Sequence, residues 1–513
     1  MFKFVRMFAV VVVSLLVSGS AYAQDSAPKS VAVTIYSNAT NAYGYNNYGY
    51  YDPYYGGGYG YGNTYGSGYS IVKEVRAITL AAGSNEIRFS DVPQQIDATT
   101  VNFKSLLDPE NTFVLEQNFE YDLVSADKVL SRYIDEPVAL HDKTNGVLQG
   151  DLLSYDLAQV VLDTADPAGP IQIINRGELA ERITFAELPG GLITKPTLMW
   201  KVDAKKAGNH DVEVTYQTNG MGWSADYNLL LDKDDMTADL SAWVTITNGS
   251  GGTFNDATLK LVAGDVQRVS TMGAGYGMGG GGYAYDGVSA DQGFSEQSFF
   301  EYHLYTLGRT TTLKQNSTKQ LELFTPAVGL PVTKTYTYRG NANPYYDYGY
   351  PYQDQYYGTP NTKVDVVILF DNAKAKGLGI PLPAGRVRVY KADPSDGSVE
   401  FVGEDQIDHT PKEETVKIKT GSAFDVVSEW KVADFKVDYD QMWMEESLEV
   451  TLRNHKTEDI TVSVEESLYR WTNWAIIKKS HEFTKRDARN VGFDVTVPKE
   501  GETKVTYTVR YTW

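Results

Sequence analysis

The residue types that do chemistry are sparse in this chain and badly spaced for it. Six histidines, His141, His210, His303, His409, His455 and His481, are scattered over the sequence. None forms the helical His-Glu-x-x-His spacing of a zinc hydrolase, so no metal site is expected from them. Gly222-Trp223-Ser224-Ala225 begins like the turn that exposes a nucleophilic serine. Asp226 stands where that turn needs glycine, and a strand pattern follows where it needs a helix, so Ser224 reads as an ordinary strand residue. The turn Asp232-Lys233-Asp234-Asp235, with Asp239 beyond it, offers the hard carboxylate oxygens that calcium prefers. It lacks the glycine and distal glutamate of a helical calcium loop and reads better as a solvated turn. Gly279-Gly280-Gly281-Gly282 has no Lys-Ser/Thr after it and no helix pattern, so no phosphate cradle is expected. No catalytic, cofactor-binding or metal-ligating residue is assigned, and no enzyme activity is expected.

Tyrosine is the unusual feature. Tyr43 to Tyr69 holds eleven Tyr and nine Gly, and Pro344 to Tyr357 holds seven Tyr, so eighteen of the 37 tyrosines sit in two short segments. Met272 to Gly287, with eight Gly, is a glycine-richer variant. Glycine lets a loop adapt, and tyrosine gives an amphipathic ring at low entropic cost, the chemistry of adaptable binding loops. Tyr43, Tyr45, Tyr48, Tyr50, Tyr54, Tyr59, Tyr345, Tyr346, Tyr350 and Tyr356 are therefore the candidate interaction residues. Their expected partners are an envelope protein, a glycan or a second copy of the chain. An inert solvated insertion is the competing reading.

Compartment is more legible than activity. Lys3 and Arg6 precede the apolar run Phe8 to Val17, and Ala21-Tyr22-Ala23 follows, the pattern of a secretory signal peptide cut after Ala23. Removing its two basic residues takes the net charge from −20 to about −22. An acidic balance argues against nucleic acid as a partner. The chain has no Cys, so neither a lipid-anchoring cysteine nor a disulfide is available. No later apolar run approaches ~18 residues, so no transmembrane helix is expected. These features fit export to the periplasm or cell surface of a Gram-negative bacterium.

The elements that must position any site are strands. Leu240, Ala242, Val244 and Ile246 alternate with Ser241, Trp243, Thr245 and Thr247, a period of two. Trp223 to Leu231 before them and Leu259 and Leu261 after the Asn248-Gly249-Ser250-Gly251-Gly252 turn predict a three-stranded β-meander. Similar patterns predict strands from Val31 to the last residues, with a short helix near Lys128 to Ile134. The expected fold class is all-β and multi-domain, a small SH3-like barrel followed by antiparallel β-sandwich domains. The expected units are a signal peptide at 1–23, a β-domain at 24–125 with its Tyr/Gly insert at 43–69, and the small barrel at 126–190. A sandwich at 195–340 with a Gly-rich loop at 272–287, a Tyr-rich loop at 341–360 and a sandwich at 361–513 complete the set. Val505, Tyr507, Val509, Tyr511 and Trp513 share a face, as in the last strand of an outer-membrane barrel, although a buried last strand of a sandwich accounts for them as well.

Several stretches together resemble the secreted bacterial mucoidy inhibitor A-like family. They are Gly222-Trp223-Ser224-Ala225-Asp226-Tyr227, Asn248-Gly249-Ser250, Asn255-Asp256-Ala257-Thr258-Leu259, and Gly379-Ile380-Pro381-Leu382-Pro383-Ala384-Gly385-Arg386-Val387-Arg388-Val389-Tyr390. Gly403-Glu404-Asp405, Gly421-Ser422-Ala423-Phe424-Asp425 and Tyr507-Thr508-Val509-Arg510-Tyr511 also fit. The resemblance spans roughly residues 196 to 513 and implies a C-terminal β-domain of unknown function, with no catalytic residues to carry over. Phe254 stands where that family often has Trp, and its usual coiled coil is missing. The expected role is thus a non-enzymatic envelope protein, a structural or interaction module with adhesive Tyr/Gly loops. A carbohydrate-binding or carbohydrate-processing protein, suggested by Trp471 and Trp474, is the first alternative and an outer-membrane barrel the second.

Overall fold

The computed structural model describes residues 23–24, 26–37, 68–142, 146–164, 167, 169–176, 180–189, 192–264, 266, 294–340, 361–393, 395–468, 470 and 473–513. Among them the fold is all-β apart from the helix Ala126–Arg132 and the turn of 3-10 helix Lys374–Lys376. Strands form where the sequence alternates. In Thr237–Asn248 the residues Leu240, Ala242, Val244 and Ile246 enter the core and the intervening side chains face away from it. No helix among the described residues is long and apolar enough to cross a membrane.

Two large sheets share the first core. A seven-stranded sheet runs Phe294–Phe299, Tyr302–Leu313, Phe254–Ala263, Ser30–Tyr36, Tyr69–Leu80, Gly208–Asn219, Ile96–Ser105. A five-stranded sheet runs Ser317–Pro331, Thr237–Asn248, Met221–Leu231, Gly385–Ala392, Val399–Ile407. Val33, Ile35, Tyr216, Trp223, Tyr227, Leu261 and Val389 from the two sheets pack in one apolar cluster. A smaller sheet, Ala23–Gln24, Gly83–Ser90, Thr197–Ala204, Thr112–Glu120, adds Ile87, Phe89 and Trp200 to it. Arg76 enters this core paired with Glu74. Its guanidinium stacks 4.0 Å from the Phe89 ring, and the Tyr216 hydroxyl donates to Glu74 at 2.5 Å, so the buried charges are paired and hydrogen-bonded.

Three expectations about these sheets need correction. The meander ends after two strands: Thr237–Asn248 takes Ser317–Pro331 as its second neighbour, and Phe254–Ala263 crosses to the seven-stranded sheet. The reason is Asn248. Its buried amide donates to the carbonyls of Gly252 at 2.9 Å and Leu313 at 3.2 Å, which fixes a crossing instead of a hairpin. The sheets are also mixed, not purely antiparallel, because Met221–Leu231 runs parallel to Gly385–Ala392 and Phe254–Ala263 parallel to Ser30–Tyr36. Finally, strands from the expected units 24–125 and 195–340 interleave in one sheet, so those units are not separate in space.

The segment 126–190 has a core of its own, built on Leu130, Tyr133, Leu140, Leu152 and Leu162. Ser125 caps its helix by accepting from Lys128 N, as expected for Ser before a helical turn. Its sheet is open, in the order Ile171–Asn175, Gln159–Asp163, Gly146–Tyr155, Pro137–Asp142, Ala180–Thr184, and the two end strands do not pair with each other. Among the described residues the barrel expected there is not closed. This unit interrupts a pair of hydrogen-bonded neighbours, Thr112–Glu120 and Thr197–Ala204.

One arrangement occurs twice. In its first copy Ser30–Tyr36 pairs with Tyr69–Leu80, which pairs with Gly208–Asn219. The chain continues through Gly220 into Met221–Leu231, turns into Thr237–Asn248, crosses to Phe254–Ala263, and returns as Tyr302–Leu313 and Ser317–Pro331. In its second copy the same partners and directions are taken by Thr333–Arg339, Lys363–Asp371, the two halves of Thr415–Asp438, Trp443–Asn454, Ile460–Ser467, Asn490–Val497 and Gly501–Thr512. Registers agree: Asn248 faces Met221 and Ser317, and Asn454 faces Val426 and Gly501. Asn454 repeats the crossing device, donating to Glu458 O at 2.8 Å and Val497 O at 3.3 Å. The final turns match as well, with Asn316 and Glu500 at φ 50° and 49°. In the second copy all strands belong to one nine-stranded sheet that folds over its own core, bringing Phe493 within 5.2 Å of Tyr507.

Candidate functional site

The ten candidate tyrosines lie outside the described residues, but the strands that carry their segments do not. Tyr36 and Tyr69, where the first segment leaves and rejoins the sheet, stack at 4.4 Å with planes 11° apart. Burial raises the Tyr36 hydroxyl above its ordinary pKa. Ser37 N donates to Val262 O at 2.9 Å, so the strand that leads to the Gly-rich segment ends beside the base of the Tyr/Gly segment. Gly264 lies against the Tyr302 ring, where a Cβ would come within 2.6 Å. The second Tyr-rich segment leaves the same hairpin of the second copy, between Thr333–Arg339 and Lys363–Asp371. There the Tyr338 hydroxyl donates to Asn361 O at 2.7 Å, and Asn361 donates to Arg339 O at 3.1 Å.

Gly340, at the base of that segment, packs on Trp430 and Glu466 so closely that any Cβ would collide with both. Glu466 is 3% exposed, and its Oε1 has no hydrogen-bond partner. Burial pushes its carboxyl up to about 7, partly offset by the Tyr507 hydroxyl and the Trp430 indole beside it. Arg470 pairs with the neighbouring buried Glu446 at 2.5 Å.

The acidic turn does not gather its carboxylates. Asp232 accepts from Met236 N at 2.9 Å and from the Thr237 hydroxyl at 3.0 Å. Asp235 is paired with Lys334 and Lys391, which put two ammonium groups where a cation would sit. Asp234 pairs with Lys233, and Asp239 accepts from Gly329 N. Among the described residues no group of three or more His, Asp or Glu is placed to hold a metal. His210 is a buried structural histidine, bonded to the Ser105 hydroxyl at 2.8 Å and Lys206 O at 3.0 Å. Ser224 sits mid-strand opposite Thr245. Trp474 donates to Ala488 O at 2.9 Å and is covered by Lys485, and Trp471 lies outside the described residues. Tyr507, Val509 and Tyr511 point into the second core, so the last strand shows its apolar face to the protein.

Of the stretches that carry the family resemblance, 222–227, 385–390 and 403–405 lie in the five-stranded sheet, 255–259 in the seven-stranded sheet, and 421–425 and 507–511 in the nine-stranded sheet. Tyr227 donates to Pro383 O at 2.7 Å, and Trp223 to Val262 O at 3.3 Å, both on the buried face. Gly385 and Gly403 allow close approach, since a Cβ on either would collide with the carbonyl of Ala225 or Thr420. On the outward face Asp226 lies 3.2 Å from Arg386 and 3.4 Å from Arg388, and Glu404 3.7 Å from Arg388. Beside this ion network is a groove of about 380 Å³ lined by Asn228, Leu230, Asp239, Leu240, Ser241, Pro326, Tyr390 and Val399. Sequence reading did not find it, because it joins residues more than a hundred positions apart.

In comparison with known proteins, no family model matches the chain and no curated protein matches it.

Proposed function

We propose that this chain is an exported, non-enzymatic protein of the Gram-negative envelope, an interaction module that presents its tyrosine-rich segments to another envelope component or to a second copy of itself. One observation carries the reading: the two Tyr-rich segments fill the same hairpin in two copies of one strand arrangement, Tyr36 to Tyr69 and Arg339 to Lys363. Two such insertions at matching places support a shared role, and two linked contact regions would bind with avidity that neither has alone. The hairpin base in each copy is held by its own hydrogen bonds, so the segments can vary without disturbing the strands. The bodies carry a large negative charge, so association through the segments should strengthen as salt screens their repulsion. The test compares the wild type with a variant whose eighteen segment tyrosines are changed to Ser. Recovery from envelope extracts and self-association are measured at low and high salt. Loss of both in the variant is expected, and equal binding by the two proteins would refute the proposal. Amino-terminal sequencing of the fractionated protein should begin at Gln24, and an intact Met1 in the cytosol would remove the compartment.

A further inference from the structure

We infer that the groove on the outward face of the five-stranded sheet binds a neutral glycan. Its walls come from both halves of the chain. Asn228, Leu230, Asp239 and Ser241 belong to the first copy of the repeated arrangement, and Tyr390 and Val399 come from a hairpin contributed by the second half. Junctions of this kind are common places for ligand sites, and the volume lies at the scale of small-molecule pockets.

The second copy serves as an internal control. Counting back from Asn248 and Asn454, the positions of Asp239, Ser241 and Trp243 match Glu445, Ser447 and Glu449. In the second copy each of these is engaged. Glu445 accepts from Arg510 at 2.8 Å, Ser447 and Thr508 share a hydrogen bond at 2.9 Å, and Glu449 pairs with Lys431 at 3.0 Å. At the matching positions the first copy has Asp239, one oxygen of which accepts from Gly329 N, Ser241 on the groove wall, and a Trp243 that is 40% exposed. Trp243 lies two residues beyond Ser241 on the same face of its strand.

The chemistry of the lining selects the ligand. Tyr390, braced edge-on by Phe401 at 5.8 Å between ring centres, with Leu230, Pro326 and Val399, offers apolar surface to the C–H face of a sugar ring. Asn228, Ser241 and Asp239 present donors and acceptors to hydroxyl groups at the rim. Asp239 is the one charged side chain in the lining, and the neighbouring Asp226, Arg386, Arg388 and Glu404 neutralise one another, so nothing there favours an anion. Hydrolysis would need a second carboxylate across the scissile bond, so the site retains a glycan without cleaving it.

Calorimetric titration of the full mature chain with cellohexaose, maltohexaose and chitohexaose tests this, with an uncharged hexapeptide as control. At least one hexasaccharide should bind, and Asn228→Ala, Tyr390→Ala and Trp243→Glu should each weaken it about tenfold or more with unfolding midpoints unchanged. Ser241→Arg, which fills the groove from an outward-facing position, provides a second route if Tyr390→Ala fails to fold. Removing residues 38–67 and 341–360 should leave glycan binding intact, which separates this site from the tyrosine-rich segments. No binding by any of the three sugars, equal binding by all variants, or comparable binding of the peptide would overturn the inference.

Discussion

Glu466 is the residue whose protonation matters most to the second core. A glutamate begins from 4.5, and burial takes this one to about 7. Between those values the unfolded chain has released a proton that the native chain keeps, so the folded state loses stability as pH rises. The contribution is whole below about 4.5, declines through the window, and is gone above about 7, a swing on the order of 3 kcal/mol. Glu466→Gln keeps the shape and removes the titration. Denaturant unfolding at pH 4.5, 6 and 8 should show the wild type losing stability relative to the variant across that series. Parallel profiles for the two proteins would mean that the carboxylate is solvated or paired in the native state. Other residues explain why the fold was only partly readable. Alternation such as Leu240, Ala242, Val244, Ile246 identifies a strand and its buried face, but it is silent about which strand lies alongside. The pairing was decided by Asn248, whose side chain turns an apparent hairpin into a crossing. The repeat left one short echo, Val244-Thr245-Ile246-Thr247-Asn248 against Val450-Thr451-Leu452-Arg453-Asn454.

At the scale of elements, the segment 126–190 is an insertion with its own core and is expected to be dispensable. Thr112–Glu120 and Thr197–Ala204 are already antiparallel neighbours, and the chain leaves and rejoins them where Val124 N donates to Ile193 O at 2.9 Å. Its helix and five short strands bury a small separate cluster, so removing them takes nothing from the main core. Replacing residues 125–191 by a short Gly-Ser turn should leave the unfolding midpoint of the remainder within a few degrees, since loop length itself costs little. A molten or insoluble product would show that the insertion supports the sheet beneath it. That this unit is built of short strands was legible, and Gly146–Tyr155, Gln159–Asp163 and Ile171–Asn175 are among those formed. Barrel closure was not, because it depends on whether the two end strands meet. Val399–Ile407 has most of its side chains exposed, so no buried face stands out in its sequence. The groove was illegible for a related reason: it depends on which hairpin of the second half lies against the first, and no local pattern encodes that.

At the scale of the whole molecule, the two copies of the arrangement are interlocked, not strung in series. The hairpin Gly385–Ala392 and Val399–Ile407 comes from the second half of the chain, yet it extends the sheet of the first through the pairing of Met221–Leu231 with Gly385–Ala392. Leu382, Val387, Val389 and Ile407 are buried in the first core together with Val33, Tyr227 and Leu240. Each of those apolar side chains stabilises the first half by roughly 1.5 to 3 kcal/mol that its own sequence does not supply. Without them, Met221–Leu231 would become an exposed edge with unpaired backbone groups beside an open core, a surface that invites aggregation. Residues 24–332 expressed alone should therefore be insoluble or associate through that edge, and co-expression with residues 333–513 should recover a soluble complex containing one copy of each. Size-exclusion chromatography with mass determination distinguishes the outcomes. A monomeric, cooperatively unfolding 24–332 would mean that the hairpin covers the first half without being needed to complete it.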